Sequence, residues 1–504
     1  MNILEIYLKR IQNLIILNRE NLNIESSVNF NGTIVETPPQ EFNFDLSTNI
    51  ALVLAKKTKQ SSIKLADSIK KIIQENLNDF SDISVAGPGF INFRFSLKVY
   101  QKLIVEILAS NNKYGSSNKN KSFNIEFVSA NPTGPMHVGH SRGAIFGDVL
   151  ANLLMFNGNK VVKEYYINDY GNQIKNFTES VFFRLREIKF NENFPNKENL
   201  YPGDYVIDIA KNILMEFPKI NLNDFQNIFN KLSKESLKHS MNLIKTDLKS
   251  LGILHDNFVS ESTLVQKNLV DKSIQYLRDK KFVEEGYLNP PKGEENKSWI
   301  KTKRLIFKST LFDDDTDRAL QKNDGTWTYF ANDVAYHSDK ISRNYNYLIN
   351  VLGADHTGYI KRITAATKAL SDNRTVLICK VCQLVKLFKG GKPYKMSKRA
   401  GDFISVSELL GEVDKDSIRF MMLYRSNDVE LDFDFDKVLE KSRENPIFYV
   451  QYCYARISSL FRTLKINAQS NFEIDEKNFN LNEHELNLFR KIIDWPKIIE
   501  TSSS

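Results

Sequence analysis

Apolar residues recur every three or four positions over residues 3–18, and again in ALVLAKKTK, SSIKLADSIKKIIQENL and KVYQKLIVEILAS. That spacing predicts four helices in the first 115 residues. Among them ISVAGPGFINFRFS reads as a strand-like run punctuated by Gly87, Pro88 and Gly89. The polar stretch Asn111 to Lys121, rich in Gly, Ser, Lys and Asn, reads as a linker. The period then changes. Phe123, Ile125 and Phe127 alternate with Asn124, Glu126 and Val128, so a strand places Glu126 on the face opposite the phenylalanines. SANPTGPM is a turn-rich loop, and the helical pattern after it stops at Asn157-Gly158. VVKEYYI is β-rich, residues 173–285 are mostly helical, and residues 301–360 return to short strand-like runs, with another over 376–388. Strands alternating with helices predict a parallel sheet under helical cover. Gly390-Gly391 predicts the tight turn of a short hairpin, Ser405 to Glu408 a capping box, and residues from Phe435 onward aromatic-rich helices broken near Pro446.

Length and charge refine this picture only a little. A chain of 504 residues suggests about three domains. A formal charge of +8 is compatible with a polyanionic partner, and equally with an ordinary basic protein. Three cysteines, Cys379, Cys382 and Cys453, argue against a disulfide scaffold and for a reducing compartment. Cys379 and Cys382 form a CxxC without a second ligand pair, so two cysteines in a strand are expected rather than zinc. No secretory signal and no apolar run of spanning length is visible, and the expectation is a cytoplasmic chain without a membrane partner.

Two motifs carry candidate chemistry. His137-Val-Gly-His140 falls where a Pro/Gly loop enters a helix, a place that gathers free backbone N–H groups and suits phosphate. Histidines three apart share one face of the first turn and can stabilise charge on a reacting α-phosphate. Gly139 lets a nucleotide approach the backbone, and Gly139, Gly143 and Gly147 repeat at a spacing that permits close helix-on-sheet packing. Lys395-Met396-Ser397-Lys398 follows the Gly-Gly turn; its two lysines can embrace a leaving pyrophosphate from a mobile loop. Alone, each has a bland reading: surface or metal-binding histidines, and a solvated basic loop.

Together and in this order, about 255 residues apart, HVGH and KMSK resemble the paired signatures of class I aminoacyl-tRNA synthetases. IEFVSANPTGPMHVGHSRGAIFGD, GPGFINFRF, YYINDYGNQI, YPGDY, DGTWTYFANDVAYHSDK, VLGADHTGYIKR and NPIFYVQYCYARI resemble the arginyl-tRNA synthetase family. The resemblance implies a Rossmann-like (HUP) parallel-sheet catalytic domain, an N-terminal α/β domain and a C-terminal α-helical anticodon-binding domain. The expected boundaries are 1–115, 116–390, 391–434 (the KMSK loop and stem-contact region) and 435–504. Family members continue beyond WPKIIE, so the last domain is expected to be incomplete. The implied partners are ATP with Mg²⁺, L-arginine and tRNA(Arg), with activation dependent on bound tRNA and the enzyme a monomer.

The resemblance also assigns residues. His137, His140, Lys395 and Lys398 are expected to be catalytic, and Pro135, Gly139, Met396 and Ser397 to line the ATP site with the two histidines. Glu126, Tyr329 and Asp333 are expected to hold the arginine side chain, whose guanidinium needs carboxylates in a fork geometry. Asn131 and His140 fall near the arginine backbone groups, and Asp355 and His356 line that pocket or the adenosine site. Tyr449, Tyr452 and Arg456 are expected to meet tRNA, although core packing explains aromatics at helical spacing equally well. The rivals are a tRNA-binding remnant without activity and a nucleotidyltransferase acting on a small molecule.

Overall fold

Asn2 accepts from the backbone N–H groups of Leu4 and Glu5 and starts the helix Ile3–Leu17, which buries Ile3, Leu4, Tyr7, Ile11 and Ile15. This is the predicted apolar stripe. The computed structural model describes residues 2–288, 302–394, 404–466 and 479–503. They fall into two units: 1–119 with 156–158 and 461–504, and 120–155 with 159–460.

In the first unit, the helices Ile50–Thr58, Ser62–Asn76 and Leu97–Ser110 accompany an antiparallel four-stranded sheet. The single strand-like run of the sequence is two strands, Phe80–Ala86 and Phe90–Phe95. Gly87 and Gly89 turn between them at φ of 55° and 126°, a region open to glycine. The helix Glu483–Ser502 closes the same core: Phe489 and Ile493 join it, and Arg490 reaches the buried Asp45 carboxylate at 2.9 Å.

The second unit is built on five parallel strands in the order 376–382, 347–353, 122–126, 160–167, 257–260. Numbered along the chain this is 5-4-1-2-3. The order reverses between the first strand, Ser122–Glu126, and the fourth, Tyr347–Gly353. Open parallel sheets bind ligands in the crevice at such a switch point, beyond the carboxyl ends of the strands. Glu126 stands at the end of the first strand, opposite Asn350 in register. The helix Val138–Phe156 returns from the following loop. A Cβ on Gly147 would collide with the Phe127 ring, so this glycine sets the close approach. Gly143 is at ordinary contact distance from Val351, and a Cβ at Gly139 would meet only the ring of His137. The close-packing role expected of three glycines thus rests on one.

Arg142, in the same helix, is buried. Its guanidinium donates to the carbonyls of Gln383 (3.0 Å), Val429 (2.6 Å) and Ser426 (2.8 Å). These carbonyls flank the paired strands Val385–Lys389 and Leu431–Asp434. The Gly390-Gly391 turn and the Ser405/Glu408 capping box form as expected. Residues 329–342, placed by sequence among short strands, are instead a helix, Tyr329–Ser342. It is packed between Leu269–Asp279 and Ile360–Ser371, and its core-facing Phe330, Ala331, Val334 and Ala335 lie at helical spacing. None of the described helices is long and apolar enough to cross a membrane.

Candidate active site

The loop after the first strand is pinned at three points. Tyr165 donates to the Ala130 carbonyl (2.7 Å), Tyr205 donates to that of Thr133 (2.9 Å), and the Met136 N–H donates to Asp247 (2.9 Å). Val128 sits at φ 70°, a strained position for a β-branched residue, two residues after Glu126. Ser129 holds that bend by donating to Glu126 Oε1 (3.0 Å) and accepting from the Tyr166 N–H (3.0 Å).

The two histidines close the loop at the helix start. Their rings lie 3.8 Å apart. His137 Nδ1 accepts from the Gly139 N–H (3.1 Å), and His140 Nδ1 accepts a long bond from the His137 N–H (3.4 Å). Each imidazole is therefore the Nε2–H tautomer, assigned from these bonds, and presents a donor. Burial lowers both pKa values; His140 falls to about 4 through burial and the neighbouring His137, with Asp355 opposing. Asp355 and His356, 80% and 60% exposed, pair with each other at 3.5 Å on the turn after the fourth strand. The segment Met136–Val138 pairs with Ile404–Val406: Val138 N–H donates to Ile404 (2.8 Å) and Val406 N–H to Met136 (3.0 Å). Lys395, Met396, Ser397 and Lys398 lie outside the described residues. Pro135 and Gly139 line the same loop, and Asn131, on its rim, accepts from Asn168 (3.3 Å).

Across the crevice, Asp333 accepts a short hydrogen bond from the Tyr359 hydroxyl. Its pKa is raised to about 7, chiefly by burial and further by Glu126 and Glu261, against that hydrogen bond and Lys340. Tyr329, one turn earlier, is 71% exposed and stacks under Lys322. Two groups result: Asp333 with Glu126, and His140 with His137 and Asp355. Tyr449, Tyr452 and Arg456 lie exposed on the separate helix Pro446–Leu464, whose one buried residue is Ile447.

Sequence reasoning missed the surrounding charged groups. Glu164, fully buried, receives both arms of Arg343 (2.5 and 2.9 Å), with Tyr336 (2.8 Å) and Asn257 (2.7 Å). Burial pushes its pKa up, but the Arg343 fork, Lys340 and Tyr336 outweigh burial and hold it at about 2. This pair contributes stability above the ordinary glutamate range, and the contribution is lost as pH falls toward 2. Arg343→Met should cost about 3–5 kcal/mol, because it strands a buried carboxylate. Urea unfolding at pH 7 and pH 3 checks this: the loss should shrink at the lower pH. Cys379 and Cys382 stay free thiols on the edge strand, their pKa values raised by burial to about 11.

A parallel 5-4-1-2-3 sheet with paired histidines at the helix after its first strand agrees with what the comparisons find. Residues 103–442 match the family of tRNA synthetases class I (R), catalytic domain. The fold and the catalytic domain are those of a class I aminoacyl-tRNA synthetase. Residues 10–95 match the arginyl tRNA synthetase N terminal domain, and 450–504 the DALR anticodon binding domain. The arginine–tRNA ligase of Pelagibacter ubique is 52% identical over 100% of this chain and 88% of its own length. That of Ehrlichia ruminantium (strain Welgevonden) is 45% identical over 98% of this chain and 85% of its own. The chain belongs to the arginyl-tRNA synthetase family, and its activity is the ATP-dependent ligation of arginine to tRNA(Arg), with release of AMP and pyrophosphate. Thermus thermophilus arginyl-tRNA synthetase shares the fold, with a TM-score of 0.68 at 18% identity over 98% of this chain and 87% of that one.

Proposed function

We propose that the switch-point crevice is where arginine is activated, and that its two halves divide the substrates. The observation that supports this is the pairing of opposite chemistries on one sheet edge. Two neutral Nε2–H donors stand at a helix N-terminus on one side, and the carboxylates of Glu126 and Asp333 on the other. His137 and His140 donate to the triphosphate, with Pro135 and Gly139 beneath it. Glu126, Asp333 and Tyr329 hold the guanidinium, and Asn131 and His140 lie by the arginine backbone groups. Asp355 and His356 border the nucleotide.

The arginine carboxylate then attacks the α-phosphorus. The bond to the β-phosphate oxygen breaks, and arginyl-adenylate and pyrophosphate result. Charge stabilisation and alignment supply the catalysis. Lys395 and Lys398 hold the leaving pyrophosphate while Met396 and Ser397 border the nucleotide. The terminal ribose hydroxyl of tRNA attacks the adenylate carbonyl and AMP departs.

Mg²⁺ bound with the triphosphate would neutralise phosphate charge. The exposed Asp355 carboxylate, whose charge acts on His140, is the residue that would hold it. The described group with metal-ligand spacing elsewhere, Glu216, Glu235 and His239, has both glutamates bridged by Lys238 (2.9 and 3.1 Å). Tyr449, Tyr452 and Arg456 meet anticodon bases by stacking, which their exposure permits. The enzyme works in the cytoplasm.

ATP–pyrophosphate exchange with arginine, run with and without tRNA(Arg), tests the reading. Exchange that requires tRNA and falls on substitution of Asp333 is expected. Exchange indifferent to both would overturn it.

A further inference from the structure

A site that holds two carboxylates for a guanidinium needs a counter-charge, and the helix Tyr329–Ser342 supplies one from inside the protein. Lys340 is fully buried. Its ammonium donates to Glu126 Oε2 (2.5 Å) and to Asn350 Oδ1 (3.0 Å), and lies 4.3 Å from the centre of the Tyr336 ring. Glu126 and Asn350 are register partners on the first and fourth strands, so the ammonium bridges the sheet at its point of reversal. Asn350 cannot rotate freely: its Nδ2 donates to His337 Nε2 (3.0 Å), and His337 Nδ1 donates to the Asp333 carbonyl (2.9 Å). Asp333, His337 and Lys340 lie four and three residues apart, on one side of one helix. The network runs from the backbone of one candidate arginine ligand to the side chain of the other.

We infer that Lys340 is a positioning residue for arginine selection, an internal cation that fixes the Glu126 carboxylate in place. Lys340 takes Oε2 and Ser129 donates to Oε1, so the carboxylate plane is held from both sides before substrate arrives. The Oε1 lone pair that remains faces one diverging N–H of a planar fork, with Asp333 for another. A compact ammonium cannot span the two. Without Lys340, Glu126 would be a carboxylate with a serine donor only, in a site lined by other acids. Facing it are Asp333 and Tyr336 from the helix, Tyr166 from the second strand and Cys379 from the fifth. None of these brings a positive charge, so none of them replaces the ammonium.

The inference rests on the arginine-pocket reading and is tested separately from it. Steady-state exchange is measured with Lys340→Met, Lys340→Arg and Asn350→Ser in the full chain with tRNA(Arg). Lys340→Met should raise the KM for arginine at pH 7 on the order of tenfold to a hundredfold, as loss of a buried charge partner does. The KM for ATP should hold, and kcat should change far less. Inhibition by lysine should tighten relative to arginine. Lys340→Arg, which keeps the charge, should restore most of the affinity. Asn350→Ser keeps the ion pair and loosens its anchor; it should raise the arginine KM by a smaller factor, and it serves if Lys340→Met does not fold. Unchanged arginine KM in Lys340→Met, or in Asn350→Ser where only that protein is folded, overturns the inference. So does a Lys340→Arg protein whose arginine KM is no better than that of Lys340→Met. A normal arginine KM in Glu126→Gln would instead overturn the pocket reading itself.

Discussion

Asp333→Asn is expected to lose about two to three orders of magnitude in kcat/KM for arginine while ATP binding is preserved, the scale of a guanidinium deprived of its buried anion. The pH dependence follows from the same group. Its pKa near 7 comes mainly from burial, with Glu126 and Glu261 adding to it. Guanidinium requires the ionised form, so kcat/KM for arginine should fall as pH drops below about 7. Arginine binding near neutrality should release protons, visible as a calorimetric heat that changes with buffer. The stability effect has the opposite sense. A carboxyl whose folded pKa is raised favours folding at low pH, and that benefit is lost as pH rises through about 7. The empty Asp333→Asn enzyme should therefore melt higher than the unsubstituted one at pH 8. Near-normal arginine affinity in the variant would remove Asp333 from the pocket.

His140→Ala should slow adenylate formation by about 10²–10³ in a single turnover, the usual cost of one preorganised donor to a developing charge. His140 acts as a neutral donor, because its pKa lies near 4. No rate change from its titration is expected between pH 6 and pH 8. His140→Asn, which keeps an N–H, should retain more activity than alanine. An activity that tracks an imidazole pKa near 6.5 would contradict the neutral-donor role, and a wild-type rate in His140→Ala would contradict the site.

Local signals carried much of this architecture. The strand at Phe123, Ile125 and Phe127, the helix up to Phe156, the Gly390-Gly391 turn and the Ser405 cap are each written in a few adjacent residues. The helix Tyr329–Ser342 was not legible, because Tyr, Phe and Val at its start favour a strand and its flanks are short strands. Packing between two other helices decides it. Lys340 shows the stronger limit. A lysine is ordinarily expected at the surface, and what draws it inside is an acid and an amide on two strands that meet only in the folded sheet. The spacing of Asp333, His337 and Lys340 was the available clue. Glu164 was similarly hidden, since its partner Arg343 belongs to a distant part of the chain.

Arg142 acts as a rivet. Its guanidinium, two residues past His140 in the same helix, holds the carbonyls of Gln383, Ser426 and Val429, with the Asp428 carboxylate acting on its charge. One buried side chain thereby fastens the first turn of the histidine helix to the strand pair Val385–Lys389 and Leu431–Asp434. The place of His140 is set by that anchorage as well as by the loop before it.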